Sequence, residues 1–386
     1  MIENIKVIEK IDLADFKTRN DYKLLYDLLF KCKKTFLPNE KIVFVHDETE
    51  FYHLNSNVGF AIYNLFCLLS KVDIPLSATC FVTTNNNLEK SIENFIVDDN
   101  DKPIIIPTLV SEMTYSNFCN FKNIVPDTSN INFKALCMIG TPREHRLYLY
   151  NFFQNSNYFD DIELSFNDKN NPMLSQTHIE IKNKKYNLDK NILSSISDQQ
   201  LDELGLVFAS TVLSNQNWAL FPRNKLIRKL AEMPLNIIQN SKHIKSKDGV
   251  FYNNFAIDIV SETAFDYPHA FVSEKTLRPL VLKTPFIAVG PHNFLEYLHS
   301  FGFTTFGDIW SEDYDKIKDP QDRFEACTKT IESVLSLPLD EIKSIISEIE
   351  PRLEKNRQIL LDYIENTFKP LYNNLGLINF SEKKLK

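Results

Sequence analysis

Glycine is scarce in this chain, with 8 among 386 residues, and the glycine-rich phosphate loops are missing. There is no GxGxxG and no GxxxxGK[ST], so dinucleotide-binding and P-loop readings lack the residues that would carry them. Paired cysteines are missing too. Cys32, Cys67, Cys80, Cys119, Cys137 and Cys327 are scattered, with no CxxC among them. That excludes the usual zinc ribbons and a disulfide framework, and predicts reduced, buried thiols in a cytosolic protein. No GxSxG elbow and no HExxH occurs, so serine-hydrolase and zinc-protease chemistry have no carrier. Long apolar runs are absent. Leu280–Val289 is broken by Lys283 and is far shorter than a membrane span. Met1–Lys10 mixes charges into its apolar residues, so neither a signal peptide nor a membrane anchor is expected. A surplus of basic charge is also lacking. The net charge of -8 argues against a broad basic surface that grips nucleic-acid phosphates, although a local basic cleft is compatible with it.

What is present is ample material for folded cores: 43% of residues are hydrophobic and 24% charged. At roughly 100–200 residues per domain, the length predicts two domains. The pattern alternates strand and helix. Lys41–His46, Ala78–Thr83 and Ile104–Ile106 read as short buried strands, with helical periodicity over Asn57–Lys71 and Asn85–Phe95 between them. After a polar stretch at Val125–Asn132, the pattern restarts with strands Phe133–Ile139 and Ile162–Phe166 around a helix, Arg143–Gln154. Residues 167–200 are rich in Asn, Lys and Ser and read as an insertion, followed by helical stretches at Gln199–Asn215 and Lys225–Ala231. The most regular stretch follows: strand Phe255–Val260, helix Ser273–Leu282, strand Pro285–Val289, helix His292–Phe301 and a short strand Thr304–Phe306. Phe324–Thr367 reads as helix broken at Pro338 and Pro351. This is an α/β protein with parallel sheets, expected as an N-terminal domain over 1–130, a second over 131–365 and a tail over 366–386.

Two strand-to-helix turns place cations at helix starts. One is Gly140–Arg146, in which Arg143 and Arg146 lie three apart on one helix face. The other is Ser261–Arg278, in which Ser273 caps a helix beginning Glu274–Lys275. A cation near a helix N-terminus is disfavoured by about 0.3–1 kcal/mol at exposed sites. An anion bound at the same place would offset that penalty, and guanidinium–phosphate contact is its strong form. The two turns together point to a phosphate-bearing ligand at the carboxyl ends of the strands. Glu274 would accept hydrogen bonds from ribose hydroxyls. A third segment, His46–Phe51, follows a strand and offers Asp47 and Glu48 as general bases, with only a weak metal signal.

The segment Phe271–Gly290 (FVSEKTLRPLVLKTPFIAVG) resembles the donor-binding signature of the family that includes the α-1,3-fucosyltransferases. Its order is aromatic–x–[Ser/Thr]–Glu–Lys, a helix, then a Pro-initiated apolar strand. Glu262 falls where that family often carries an acidic residue, and Phe271 stands where it often has tyrosine. Lys134–Arg146 resembles the family's earlier strand–turn–Arg–helix element, and Phe271–Asp308 is similar to glycosyltransferase-like proteins common in phages and other viruses. The resemblance implies a GT-B architecture, two Rossmann-like domains facing a cleft, and an inverting transfer that needs no metal or other cofactor for donor binding. It implies a donor site built from Arg143, Arg146, Glu262, Ser273, Glu274, Lys275 and Arg278, in which Lys275 and Arg146 neutralise the diphosphate of a GDP- or UDP-sugar. The acceptor would be a hydroxyl of a glycan, or of a hydroxymethylated base in viral DNA. A nucleotide-sugar-binding or virion interaction protein without catalysis is the non-enzymatic alternative.

Overall fold

The computed structural model describes residues 5–16, 19–46, 60–85, 88–93, 96, 98–124, 130–139, 144–166, 196–204, 254–263, 265–266 and 270–377. It is a mixed α/β protein with two four-stranded sheets in which all neighbouring strands run parallel. Each sheet belongs to its own compact unit. Among the described residues, no helix is long and apolar enough to cross a membrane.

The first unit carries β1 (Lys6–Asp12), α1 (Arg19–Cys32), β2 (Glu40–His46), α2 (Phe60–Lys71), β3 (Thr79–Thr83), α3 (Leu88–Ile92) and β4 (Ile104–Pro107). Its strands lie in chain order, β1-β2-β3-β4. The core is made by Ile42 and Phe44 from β2, Phe81 from β3 and the apolar faces of α1 and α2, with Leu25, Leu29, Leu65 and Leu68 fully buried. β1 was not evident in the sequence. Four of its seven residues, KVIEKID, are charged, and only Ile11 is fully buried.

Glu40 at the start of β2 binds Lys6 Nζ and Lys34 Nζ, each at 2.8 Å, and accepts the Leu37 N–H at 3.2 Å. Hydrogen bonds from Lys34, then Lys6, then the Leu37 amide hold its carboxyl down at about 2, against an ordinary 4.5. A carboxylate with a depressed folded-state pKa adds stability that is present above pH ~4.5 and fades as pH falls toward 2. Acid titration of the urea midpoint should therefore be shallower in Glu40→Gln than in the wild type. Identical slopes for the two proteins would show that these contacts do not persist in solution.

The second unit begins at Leu109. The expected division at residue 130 thus falls inside it, because α4 (Glu112–Phe121) packs against the helix Glu274–Leu282. Then come β5 (Phe133–Ile139), α5 (Glu144–Gln154), β6 (Ile162–Phe166), β7 (Phe255–Ser261), α6 (Glu274–Leu282), β8 (Phe286–Val289), α7 (Phe294–Ser300), α8 (Pro320–Leu335) and α9 (Leu339–Tyr363). From Pro370 the described chain, which ends at Leu377, belongs to the first unit again, where a separate tail from 366 was expected. β7 and β8 are buried at every residue, as strands covered on both faces must be.

Two expectations are corrected here. Thr304–Phe306 is not a strand. The side-chain amide of Asn356 takes the place of a neighbouring strand, accepting the Thr304 N–H at 2.9 Å and donating to the Thr304 carbonyl at 2.8 Å. Pro338 does separate α8 from α9, but α9 runs through Pro351, held by the burial of Ile346, Ile349 and Leu353 on its inner face. The expected insertion at 167–200 lies outside the described residues up to 195. So does all of Lys225–Ala231, and of Gln199–Asn215 only the first residues are described, ending a short helix at Asp198–Glu203.

Candidate functional site

The two sheets differ in one respect that locates a site. In the first, each strand is followed by its neighbour on the same side. In the second the order is β6-β5-β7-β8. The chain leaves β5 for β6 on one side, then returns past β5 to build β7 and β8 on the other. The reversal lies between β5 and β7. In open α/β sheets the connections diverge at such a point and leave a crevice at the carboxyl ends of the strands. Here those ends are Ile139 and Ser261, and His145 and Arg146 from one predicted turn meet Ser261, Glu262 and Thr263 from the other there.

Arg146, in the first turn of α5, has one of the largest fully buried side chains of the protein. Its Nη2 donates to the carbonyls of Ser261 (3.2 Å), the last residue of β7, and of Glu262 (3.0 Å), which follows it. His145 bonds the same Glu262 carbonyl through Nε2 at 2.9 Å. A carbonyl only accepts, so Nε2 carries the proton. The His145 ring stacks on Phe265 at 5.5 Å, and Arg323 from α8 lies over that phenyl ring at 4.5 Å while donating to the Phe265 carbonyl at 2.8 Å. The segment after β7 is therefore pinned from α5 and from α8.

Glu262 continues the ladder, donating its N–H to the Val289 carbonyl at 3.0 Å. Its side chain is buried and accepts from the Thr263 N–H (3.0 Å), the Ser273 N–H (3.5 Å) and the Thr276 hydroxyl. One carboxylate thus joins the strand end to the first turn of α6. Ser273 caps α6, its Oγ accepting the Lys275 N–H at 3.2 Å. Lys275 turns back to Thr263 Oγ1 at 3.1 Å and pairs with Glu274. Burial pushes the Lys275 ammonium below its usual range. Glu274 and Glu262 oppose that, and Arg146 adds to it. For Glu274, burial would raise the carboxyl, but Lys275, its own backbone N–H and Arg146 outweigh it and hold the group below the ordinary range. Arg146 and Lys275, remote in sequence, therefore both bond the three residues Ser261–Thr263, the first at the Ser261 and Glu262 carbonyls and the second at the Thr263 hydroxyl.

Arg278 departs from the expected donor-binding set. Its guanidinium forms a two-pronged pair with Asp258 in the middle of β7, Nε to Oδ2 at 2.8 Å and Nη2 to Oδ1 at 2.7 Å, with both side chains buried. Asp258 and Glu262 are four apart, on one side of the strand line, and both meet α6. Arg278 is thereby a fastener between helix and sheet. The turn after β8 is closed as well. Asp315 accepts the N–H groups of Leu295 (3.0 Å) and Glu296 (3.3 Å), so a carboxylate of the chain fills the start of α7. Burial raises that carboxyl despite these amides. Asp47, Glu48 and Arg143 lie outside the described residues.

No family model matches the chain, and no curated protein is similar to it. The arrangement is therefore read on its own chemistry. Among the described residues, no group of three or more His, Cys, Asp or Glu is placed to hold a metal ion. The cluster offers one buried cation, Arg146, one half-buried cation, Lys275, the hydroxyls of Ser261, Thr263, Ser273 and Thr276, and a helix start, which suits an oxyanion. Sequence reasoning passed over Thr263, Thr276 and Asp258. For Asp258 the signal was a lone charge inside the apolar strand FAIDIVS, which requires a buried partner.

Proposed function

We propose that the protein is an inverting glycosyltransferase of GT-B type that moves a sugar from a nucleoside-diphosphate donor to a hydroxyl acceptor. The observation that supports this reading is the meeting of Arg146 and Lys275 at the carboxyl end of β7, beside the strand-order reversal. The pyrophosphate would sit against the Lys275 ammonium and the start of α6, with Arg146 adding positive potential from below. Glu274 would turn to the ribose hydroxyls. An acceptor oxygen, deprotonated by Asp47 or Glu48, would attack the anomeric carbon from the face opposite the diphosphate. The carbon–oxygen bond to phosphate breaks, and the charge that grows on the leaving group is met by cations already in place.

A thermal-shift panel of GDP, UDP, CMP and their sugars tests this. A ligand at 100 times its dissociation constant should stabilise the folded protein by about 2.7 kcal/mol. One base should stand out, and the matching sugar nucleotide should be consumed when a suitable acceptor is supplied. Donor binding without transfer or slow hydrolysis would mark a binding module. A flat panel would remove the nucleotide reading.

A further inference from the structure

The first unit carries a surface that the cluster at β7 does not use. Leu28–Asn39 runs LLFKCKKTFLPN, with Lys31, Lys33 and Lys34 and no acidic residue, in a chain of net charge -8. α1 ends inside this stretch at Cys32, and residues 33–39 cross to β2. Cys32 and Phe36 pack on the core of the unit. Phe30 and Leu37 do not: they are 51% and 57% exposed, and no other large apolar residue among the described ones stands out so far. The Leu37 backbone is nevertheless fixed. Its carbonyl accepts the Glu40 N–H at 2.9 Å, its own N–H donates to Glu40 Oε2 at 3.2 Å, and Lys41 Nζ holds the Pro38 carbonyl at 2.6 Å. A leucine is thus presented to solvent on a turn that the fold has already ordered, so little conformational freedom is lost when it meets a partner.

The charges point the same way. Glu40 pairs with Lys6 and Lys34 through a side chain 5% exposed, against 63% and 42% for the two lysines, so the ammonium groups lie on the solvent side. Lys33 pairs with Asp73 at 2.7 Å, but both are exposed, and a pair of that kind is worth little and is readily exchanged. Glu9 is a further acid whose charge reaches this corner at Cys32, where Lys31 and Lys34 oppose it.

We propose that this face, Phe30 and Leu37 framed by Lys31, Lys33 and Lys34, docks on an anionic lipid surface. The two apolar side chains enter at the level of the headgroups, and the lysines meet lipid phosphates and carboxylates from their long stems. Such a leaflet supplies the apolar medium and the anions together. An acidic protein face supplies the anions and leaves the leucine and phenylalanine without an apolar partner. The contact lies on the membrane and crosses nothing. It falls at the amino end of β2, opposite the end that leads to Asp47 and Glu48. It does not depend on the sugar-transfer reading.

Sedimentation of the full chain with sucrose-loaded vesicles, of phosphatidylcholine alone or mixed with phosphatidylserine at about seven to three, tests it. The wild type should pellet with the mixed vesicles and stay in solution with the neutral ones. Raising NaCl from about 0.1 M to about 0.5 M should release most of it. The double change Phe30→Ser with Leu37→Ser should lower the bound fraction roughly fivefold or more. Lys31→Gln with Lys33→Gln should also lower it roughly fivefold or more. All four side chains are exposed, so thermal midpoints should stay near the wild type. Leu37→Trp is a further variant, and its emission should shift to the blue on adding mixed vesicles. Absence of pelleting with either vesicle, equal pelleting with both, or an unshifted Leu37→Trp emission overturns the proposal. Salt-sensitive binding that survives the two serine changes also overturns it, since that marks a surface read by charge alone. So does a dimer, seen by light scattering without lipid, that the serine changes dissolve while vesicles bind neither protein.

Discussion

Arg278→Leu should destabilise the second unit by about 3–5 kcal/mol, the usual consequence of leaving one member of a buried ion pair behind. Asp258 is fully buried, and its two oxygens are held by the two prongs of the guanidinium. Without Arg278 the carboxylate has no compensating charge in the middle of β7. Burial already pushes the Asp258 carboxyl above its ordinary range, against the pull of Arg278. In the variant that push is unopposed. A carboxyl whose folded-state pKa is raised favours the folded protein when protonated, so the deficit of Arg278→Leu should shrink as pH falls and grow as pH rises. Hydrogen exchange at the β7 amides, compared at pH 5 and pH 8, would read both effects. The double change Asp258→Leu with Arg278→Met should recover most of the loss, because two apolar side chains avoid the desolvation of two charges. Protection at β7 unchanged in the single variant would show that the pair is not held in solution.

On the proposed donor reading, Lys275→Ala should lower sugar transfer by about 10²–10³-fold, equivalent to the ~2–4 kcal/mol carried by one preorganised contact to a developing oxyanion. The fold should survive. The freed Glu274 side chain is partly exposed and can turn to water, while Glu262, Ser273 and Thr276 still tie α6 to the strand end. A thermal midpoint close to the wild type, together with lost stabilisation by nucleoside diphosphate, would separate binding from folding. Turnover at the wild-type rate would remove Lys275 from the mechanism. Lys275 and Arg278 make a useful contrast, since they lie three apart at the start of one helix and both are cations. One turns to the strand end, the other to a charge beneath it.

That contrast marks where sequence reasoning stopped. β5, β7 and β8 were legible because strands covered on both faces are nearly continuous apolar runs, and their helices carried caps and 3.6-residue spacing. β1 was not, because an edge strand with one solvated face can carry Lys6, Glu9, Lys10 and Asp12 without penalty. Thr304–Phe306 had strand-like composition but no strand beside it, and a single asparagine far along the chain met its backbone instead. The two cationic turns were visible as turns. Their convergence depends on strand order, and no local pattern encodes that β7 lies next to β5. Which cation turns to the strand end and which to its middle depends on one aspartate in the strand below, a matter of a single residue's direction.

The reversed strand order bears also on how the second unit acquires its structure. The first sheet can grow by adding each strand to the one made just before it. In the second, β5 pairs with β7, and the Asn132–Asn254 contact beside that pairing closes 122 residues of chain. Pairing at such separation is slow, since the entropy of closing the loop is lost before any contact is gained. During synthesis, Arg146 would leave the ribosome long before the strand carbonyls it will bind. The cluster at the end of β7 would therefore form only once β7 has paired with β5, and a refolding experiment should find hydrogen-exchange protection at the β7 amides returning after most of the helical signal.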